Sequence, residues 1–216
     1  MAEENSRNSA RPCAGFRGIV AQRTDRKNQW RERNLRDERC AARLTLVLHS
    51  CRQNQSSWTC LILLNPIARV EGESLSNAVI AEFCRALAPT RLVVVGQSRR
   101  KIDTPENCVD LTNRTSLLQL IRLIRVARFV VSVDSGPMHV AAAVNGRLLS
   151  IHTWTDPRRV GSYNPNAWVW KNGQLCRVDR LDTARMRRRG RRFRPKDVPA
   201  VVELIRPLVP VDPMLT

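Results

Sequence analysis

The residues whose types and spacing could do chemistry are Asp134-Ser135-Gly136-Pro137-Met138-His139. They follow the apolar run Phe129-Val130-Val131-Ser132-Val133 and precede Val140-Ala141-Ala142-Ala143. A strand running through such a turn into a helix exposes the helix's unpaired first-turn amides and the positive end of its dipole. That arrangement binds anions, a diphosphate in particular. Ser135 is the candidate N-cap, Gly136 lets a ligand approach the backbone, and Pro137 stands where a helix tolerates it best. His139 projects from the first turn as a donor to phosphate. Asp134, Ser135, Gly136, Met138 and His139 are therefore the candidate binding residues. The plainer alternative is ordinary helix capping with a satisfied structural histidine. Asp134 weighs against it, because a carboxylate at a strand end is costly unless partnered or facing a ligand.

The elements that must hold this turn are legible around it. Leu61-Ile62-Leu63-Leu64, ended by Asn65-Pro66, reads as a strand buried on both faces. Ser74 can cap a helix to about Leu87, with Leu75, Val79, Phe83 and Leu87 at helical spacing. Arg91 to Val95 is a second strand closed by Gly96, and Val109 to Leu111 a short third. Ser116 caps a helix whose Leu117, Leu120, Ile121 and Ile124 face the core, followed by strand Phe129–Val133, helix Pro137–Val144 and strand Leu148–Ile151. Val198 to Leu208 reads as a closing helix interrupted late by Pro207. Strand–helix alternation with short links predicts an α/β, doubly wound parallel sheet of Rossmann-like type. Ligands of such sheets bind beyond the carboxyl ends of the strands. Three of those ends carry polar sequence: Asn65-Pro66, Gly96-Gln97-Ser98 and Asp134-Ser135-Gly136.

Organisation follows from composition. Residues 1–58 are polar and arginine-rich, and they are expected to be disordered or only partly helical. Residues 59–180 form the Rossmann-like domain, and 181–216 a basic linker with the C-terminal helix. No apolar run approaches the ~18 residues of a spanning helix, and no signal region opens the chain, so a cytoplasmic location is expected. The seven cysteines form no CxxC pair and the three histidines complete no zinc pattern, which predicts reduced thiols and no metal. The net charge of +18 raises a nucleic-acid partner, but the excess is spread along the chain. Only Arg185 to Lys196 is dense, and neither interleaved aromatics nor a reader motif accompanies it. A solvated loop, or attraction to anionic lipid headgroups at the inner face of a membrane, accounts for that cluster.

The segment Phe129 to Ala143 resembles the hallmark of glycosyltransferase family 9, which contains the ADP-heptose:lipopolysaccharide heptosyltransferases. Asn113-Arg114-Thr115-Ser116-Leu117 with Leu120-Ile121 and Ala127-Arg128 resembles the family's approach to that strand. Thr155-Asp156-Pro157-Arg158 with Gly161-Ser162-Tyr163 is similar to its following loop. The resemblance covers about Leu61 to Tyr163. It implies the C-terminal, donor-binding half of a B-type glycosyltransferase fold, with the Asp-Ser-Gly turn and the histidine on the donor's diphosphate. By position it brings Asn65, Gly96, Ser98 and Thr115 toward the nucleoside.

The resemblance further implies a nucleotide-sugar donor such as ADP-heptose and a lipopolysaccharide or other envelope glycan acceptor. Transfer would need neither cofactor nor metal, because helix ends and basic side chains stabilise the departing diphosphate. Two departures stand out. The family's lysine after the first strand has only Arg69 in its place, beside Glu71 and Glu73. Residues 1–58 also lack the strand–helix alternation of the family's N-terminal acceptor domain, which supplies the catalytic base. No base is assigned, and this chain alone is expected to bind donor but transfer little sugar. A non-catalytic nucleotide-sugar-binding remnant is the alternative reading, and a nucleic-acid-binding protein a more distant one.

Overall fold

The computed structural model describes residues 61–105, 107–181 and 190–208. The expectations for residues 1–58, and for Arg185 to Arg189 of the basic cluster, lie outside them. Seven strands form one sheet: β1 (Ile62–Asn65), β2 (Leu92–Val94), β3 (Cys108–Asp110), β4 (Phe129–Val133), β5 (Leu148–Ile151), β6 (Trp168–Lys171) and β7 (Gln174–Arg177). Their spatial order is β3-β2-β1-β4-β5-β6-β7. Every pairing is parallel except β6 with β7. The chain builds outward from β1 to β3, then returns to start β4 on β1's other side. The switch point of this α/β sheet therefore lies between Asn65 and the end of β4.

Five helices are described: α1 (Asn77–Ala86), α2 (Leu117–Val126), α3 (Gly136–Val144), α4 (Pro157–Val160) and α5 (Val198–Ile205). The central strands bury both faces because helices cover both. Ile62, Leu64, Leu92 and Val94 pack with α1 and α5, while Leu61, Leu63, Val93 and Val130 pack with α2 and α3. No described helix is long and apolar enough to cross a membrane.

Four details differ from the sequence reading. Ser76, not Ser74, caps α1 by accepting from the Val79 amide at 3.3 Å; the Ser74 hydroxyl accepts from the Ala68 amide and closes the loop after β1. In α2 the core face is Leu123 and Ile124, whereas Leu117 and Leu118 are 65% and 69% exposed. Strands β6 and β7 were not anticipated. Finally, residues beyond 181 are more than a linker and helix: Phe193, Val198, Val201, Val202 and Ile205 all lie in the core. Arg191, read as part of a solvated cluster, pairs its two terminal guanidinium nitrogens with Asp197 and lies 5.0 Å over the Trp170 ring.

Candidate functional site

A line of polar groups follows the carboxyl edge of the sheet, strand by strand. Beyond β2, Gly96 adopts φ +128°, and a Cβ there would stand 2.7 Å from Asn65 Oδ1. Only glycine fits this close approach. Asn65 ends β1 fully buried; its Nδ2 donates to Ser132 Oγ at 2.9 Å and to Ser135 Oγ at 2.7 Å, tying β1 to β4 across the switch point. Its Oδ1 is buried with no partner among the described residues. The loop after β3 is held to the loop after β2 by Asn113, which accepts from the Ser98 amide at 2.8 Å and donates to the Ser98 carbonyl at 2.6 Å. Asn113 adopts φ 61°, a left-handed conformation that asparagine tolerates better than most residues.

At the end of β4 the chain turns into α3. Ser135 holds the N-cap position, but its hydroxyl donates to the Val133 carbonyl at 3.2 Å and accepts from Asn65 rather than from the helix. The expected side-chain cap is thus absent: the strand-end network takes the hydroxyl. In the first turn Pro137 has no amide and the Met138 amide donates to the Ser135 carbonyl at 3.0 Å, which leaves the Gly136 amide, and a Cβ on Gly136 would meet nothing within 4 Å. His139 is half-buried, its ring 6.1 Å from that of Tyr163, which is 86% exposed. Met138 is a correction. Its side chain is fully buried in the cluster with Ala141, Leu123 and Ile124, so it packs beneath the helix instead of facing a ligand. Thr115 is half-buried just before the Ser116 cap and takes no part in the hydrogen-bonded line.

Asp134 is partnered. Its Oδ2 accepts the Thr155 hydroxyl at 2.6 Å, and the same hydroxyl lies 2.9 Å from His152 Nδ1. Lys171, at the end of β6 and fully buried, donates from Nζ to the Thr155 carbonyl at 2.8 Å. Burial holds both basic groups low: His152 falls to about 4, opposed by Asp134 and reinforced by Lys171, and Lys171 is lowered against the pull of Asp156 and Asp134. In the next turn, the Arg158 guanidinium depresses Asp156 to about 2. Sequence reasoning gave no site role to His152, Thr155 and Lys171, which converge only once β4, β5 and β6 lie side by side. No group of three or more potential metal ligands occurs among the described residues. A hollow of about 430 Å³, lined by Trp168, Leu175, Cys176, Arg177 and Arg180, lies away from the line. Trp168 starts β6 and pairs with Arg177, at the far end from Lys171.

A sheet wound out from β1 in both directions, with a polar turn and a helix N-terminus without a side-chain cap at its switch point, defines a Rossmann-like α/β domain. The family profile for Glycosyltransferase family 9 (heptosyltransferase) matches residues 90–187, so a little under half of the chain is similar to that family. It is 35% identical over 79 residues to lipooligosaccharide heptosyltransferase 2 of Haemophilus influenzae, covering 36% of this chain and 23% of that one. It is 40% identical over 58 residues to lipopolysaccharide heptosyltransferase 1 of Salmonella typhimurium, covering 27% and 18%. In fold it resembles the Escherichia coli ADP-heptose lps heptosyltransferase II, with a TM-score of 0.53 and 22% identity across 72% of this chain and 51% of that one. The chain thus spans about half the length of that solved structure, and these two curated matches reach 23% and 18% of theirs.

Proposed function

We propose that the turn from Asp134 to His139 binds the diphosphate of a nucleotide sugar, and that this chain is the donor-binding half of a heptosyltransferase-like enzyme. The reaction passes a sugar, a heptose by family, from a donor such as ADP-heptose to a lipopolysaccharide or related envelope glycan. It belongs in the cytoplasm, at the inner face of the membrane where such an acceptor is built, and needs neither metal nor cofactor.

One observation carries the reading. At the switch point the N-terminus of α3 has no side-chain cap and open space above Gly136, because Asn65 and the Val133 carbonyl engage the Ser135 hydroxyl. A diphosphate seated there meets the Gly136 amide and the positive end of the helix dipole. The same groups stabilise the charge that develops as the glycosidic bond to the diphosphate breaks. Asn65, Gly96, Ser98 and Thr115 border the nucleoside side, with Met138 supporting from beneath. The test is calorimetric titration of the full chain with ADP and ADP-heptose. Binding lost in His139→Ala and Gly136→Val, with circular dichroism unchanged, supports the reading; unchanged affinity in both variants rejects it.

A further inference from the structure

We infer that Thr155, gripped by Lys171 and His152, is the positioning residue that turns the Asp134 carboxylate toward the bound donor. The inference rests on the reading of the Asp134–His139 turn given above.

Thr155 lies in the loop after β5, outside the hydrogen-bonded ladder of the sheet, yet it is held at three contacts. Its hydroxyl has one proton, and that proton goes to Asp134 Oδ2 at 2.6 Å. The 2.9 Å contact with His152 Nδ1 must therefore be a donation from the imidazole N–H to the threonine oxygen. His152 is neutral, so its single ring proton is on Nδ1, and the buried Nε2 is left without a partner among the described residues. The third contact is the Lys171 ammonium on the Thr155 carbonyl at 2.8 Å.

Burying an ammonium is costly, and here it is directed at one loop carbonyl instead of a carboxylate. The loop is thereby fixed to β6, and its hydroxyl is fixed on β4. The result is a carboxylate with one oxygen tied and the other without a hydrogen-bond partner among the described residues, on a side chain that is 19% exposed beside the uncapped N-terminus of α3. Such an oxygen repels phosphate and accepts only from hydroxyl or amino donors of a ligand. Its orientation is useful only if it is held, because small misplacements of a binding group are expensive.

The test compares Thr155→Val, which keeps the shape and loses the hydroxyl, with Thr155→Ser, which keeps the hydroxyl. ADP-heptose is titrated into each full chain by calorimetry, with Gly136→Val as the control for the turn, and thermal melts are recorded beside the titrations. Expected is a roughly tenfold weaker affinity in Thr155→Val, near-complete recovery in Thr155→Ser, and similar melting temperatures for the two. Lys171→Met should weaken binding in the same direction if it folds, but the threonine pair decides. Equal weakening in Val and Ser variants would make the effect one of packing and overturn the inference. Wild-type affinity in Thr155→Val with binding lost in Gly136→Val would overturn the inference alone. Binding unaffected by Gly136→Val, or absent from the wild-type chain, would overturn the reading of the turn and this inference with it.

Discussion

The side-chain amide of Asn65 donates to the Ser135 hydroxyl at 2.7 Å across 70 residues of sequence. This bond, with its companion to Ser132, closes the gap between the first strand laid down and the strand that begins the return. It also draws the N-cap hydroxyl away from the helix it would otherwise cap. A single asparagine thus joins the architecture of the sheet to the uncapped start of α3.

Asn65→Leu should leave the Ser132 and Ser135 hydroxyls without a donor in a buried setting, at a cost of about 1–3 kcal/mol. Gly96→Ala should cost a similar ~1–3 kcal/mol by another route, since its φ of +128° and the nearby Asn65 Oδ1 both oppose a side chain. Urea titrations of both variants check this. Wild-type midpoints would show that the strand-end network does not hold the edge together.

Gly136→Val should separate stability from binding. The added side chain enters open space, so the unfolding free energy from urea titration should stay within about 0.5 kcal/mol of wild type. The same space is where a diphosphate would sit, and ADP binding should vanish. A destabilised variant that still bound ADP would reverse both expectations.

Met138 and His139 are neighbours with opposite expected behaviour. Met138→Ala empties a fully buried position and should cost about 2–5 kcal/mol. His139→Ala, at a half-buried position in the first turn, should change stability little and nucleotide affinity strongly. Paired denaturation and titration experiments decide between the two roles, and interchanged effects would refute the assignment.

His152 predicts an acid limb of stability. Burial lowers its native value to about 4 from an ordinary 6.5, so the unfolded chain takes up a proton that the folded chain refuses. The stability from neutral His152 is complete above pH 6.5. It falls as pH drops from 6.5 to 4, by up to about 3 kcal/mol. Denaturation measured across that window should show the slope in wild type and a shallower one in His152→Gln. Identical slopes would mean that the folded protein accepts the proton freely.

The parts of the fold visible in sequence were those with one continuous chemical character. Leu61 to Leu64, Arg91 to Val95 and Phe129 to Val133 read as buried strands because both sheet faces demand apolar residues. Helix α2 was visible but misoriented: Leu117, Leu118, Leu120, Ile121, Leu123 and Ile124 nearly encircle it, so spacing alone does not choose a face. The β6–β7 hairpin escaped because Lys171, Gln174 and Arg177 interrupt its apolar character. A usable signal was nonetheless present in Asn172-Gly173, whose φ values of 55° and 85° fit the tight two-residue hairpin turn that this dipeptide favours. At the site, the turn from Asp134 to His139 was legible because it is contiguous. The grip on Asp134 was not, because His152, Thr155 and Lys171 come from separate segments whose meeting depends on strand order.

The packing of α5 against α1 bears on how the chain is made. Val79, Ile80 and Phe83 of α1 share a core with Val201, Val202 and Ile205, and Arg206 reaches the Ala86 carbonyl from 120 residues away. On a ribosome adding roughly 5–20 residues per second, the apolar flank of α1 waits about 6–24 seconds for that cover. During that interval the nascent sheet is a half-clothed layer, one side sealed by α2 and α3 and the other open to chaperones or to misassociation. Yield in cells should therefore be governed by the segment from Phe193 to Ile205, although it carries none of the residues assigned to ligand.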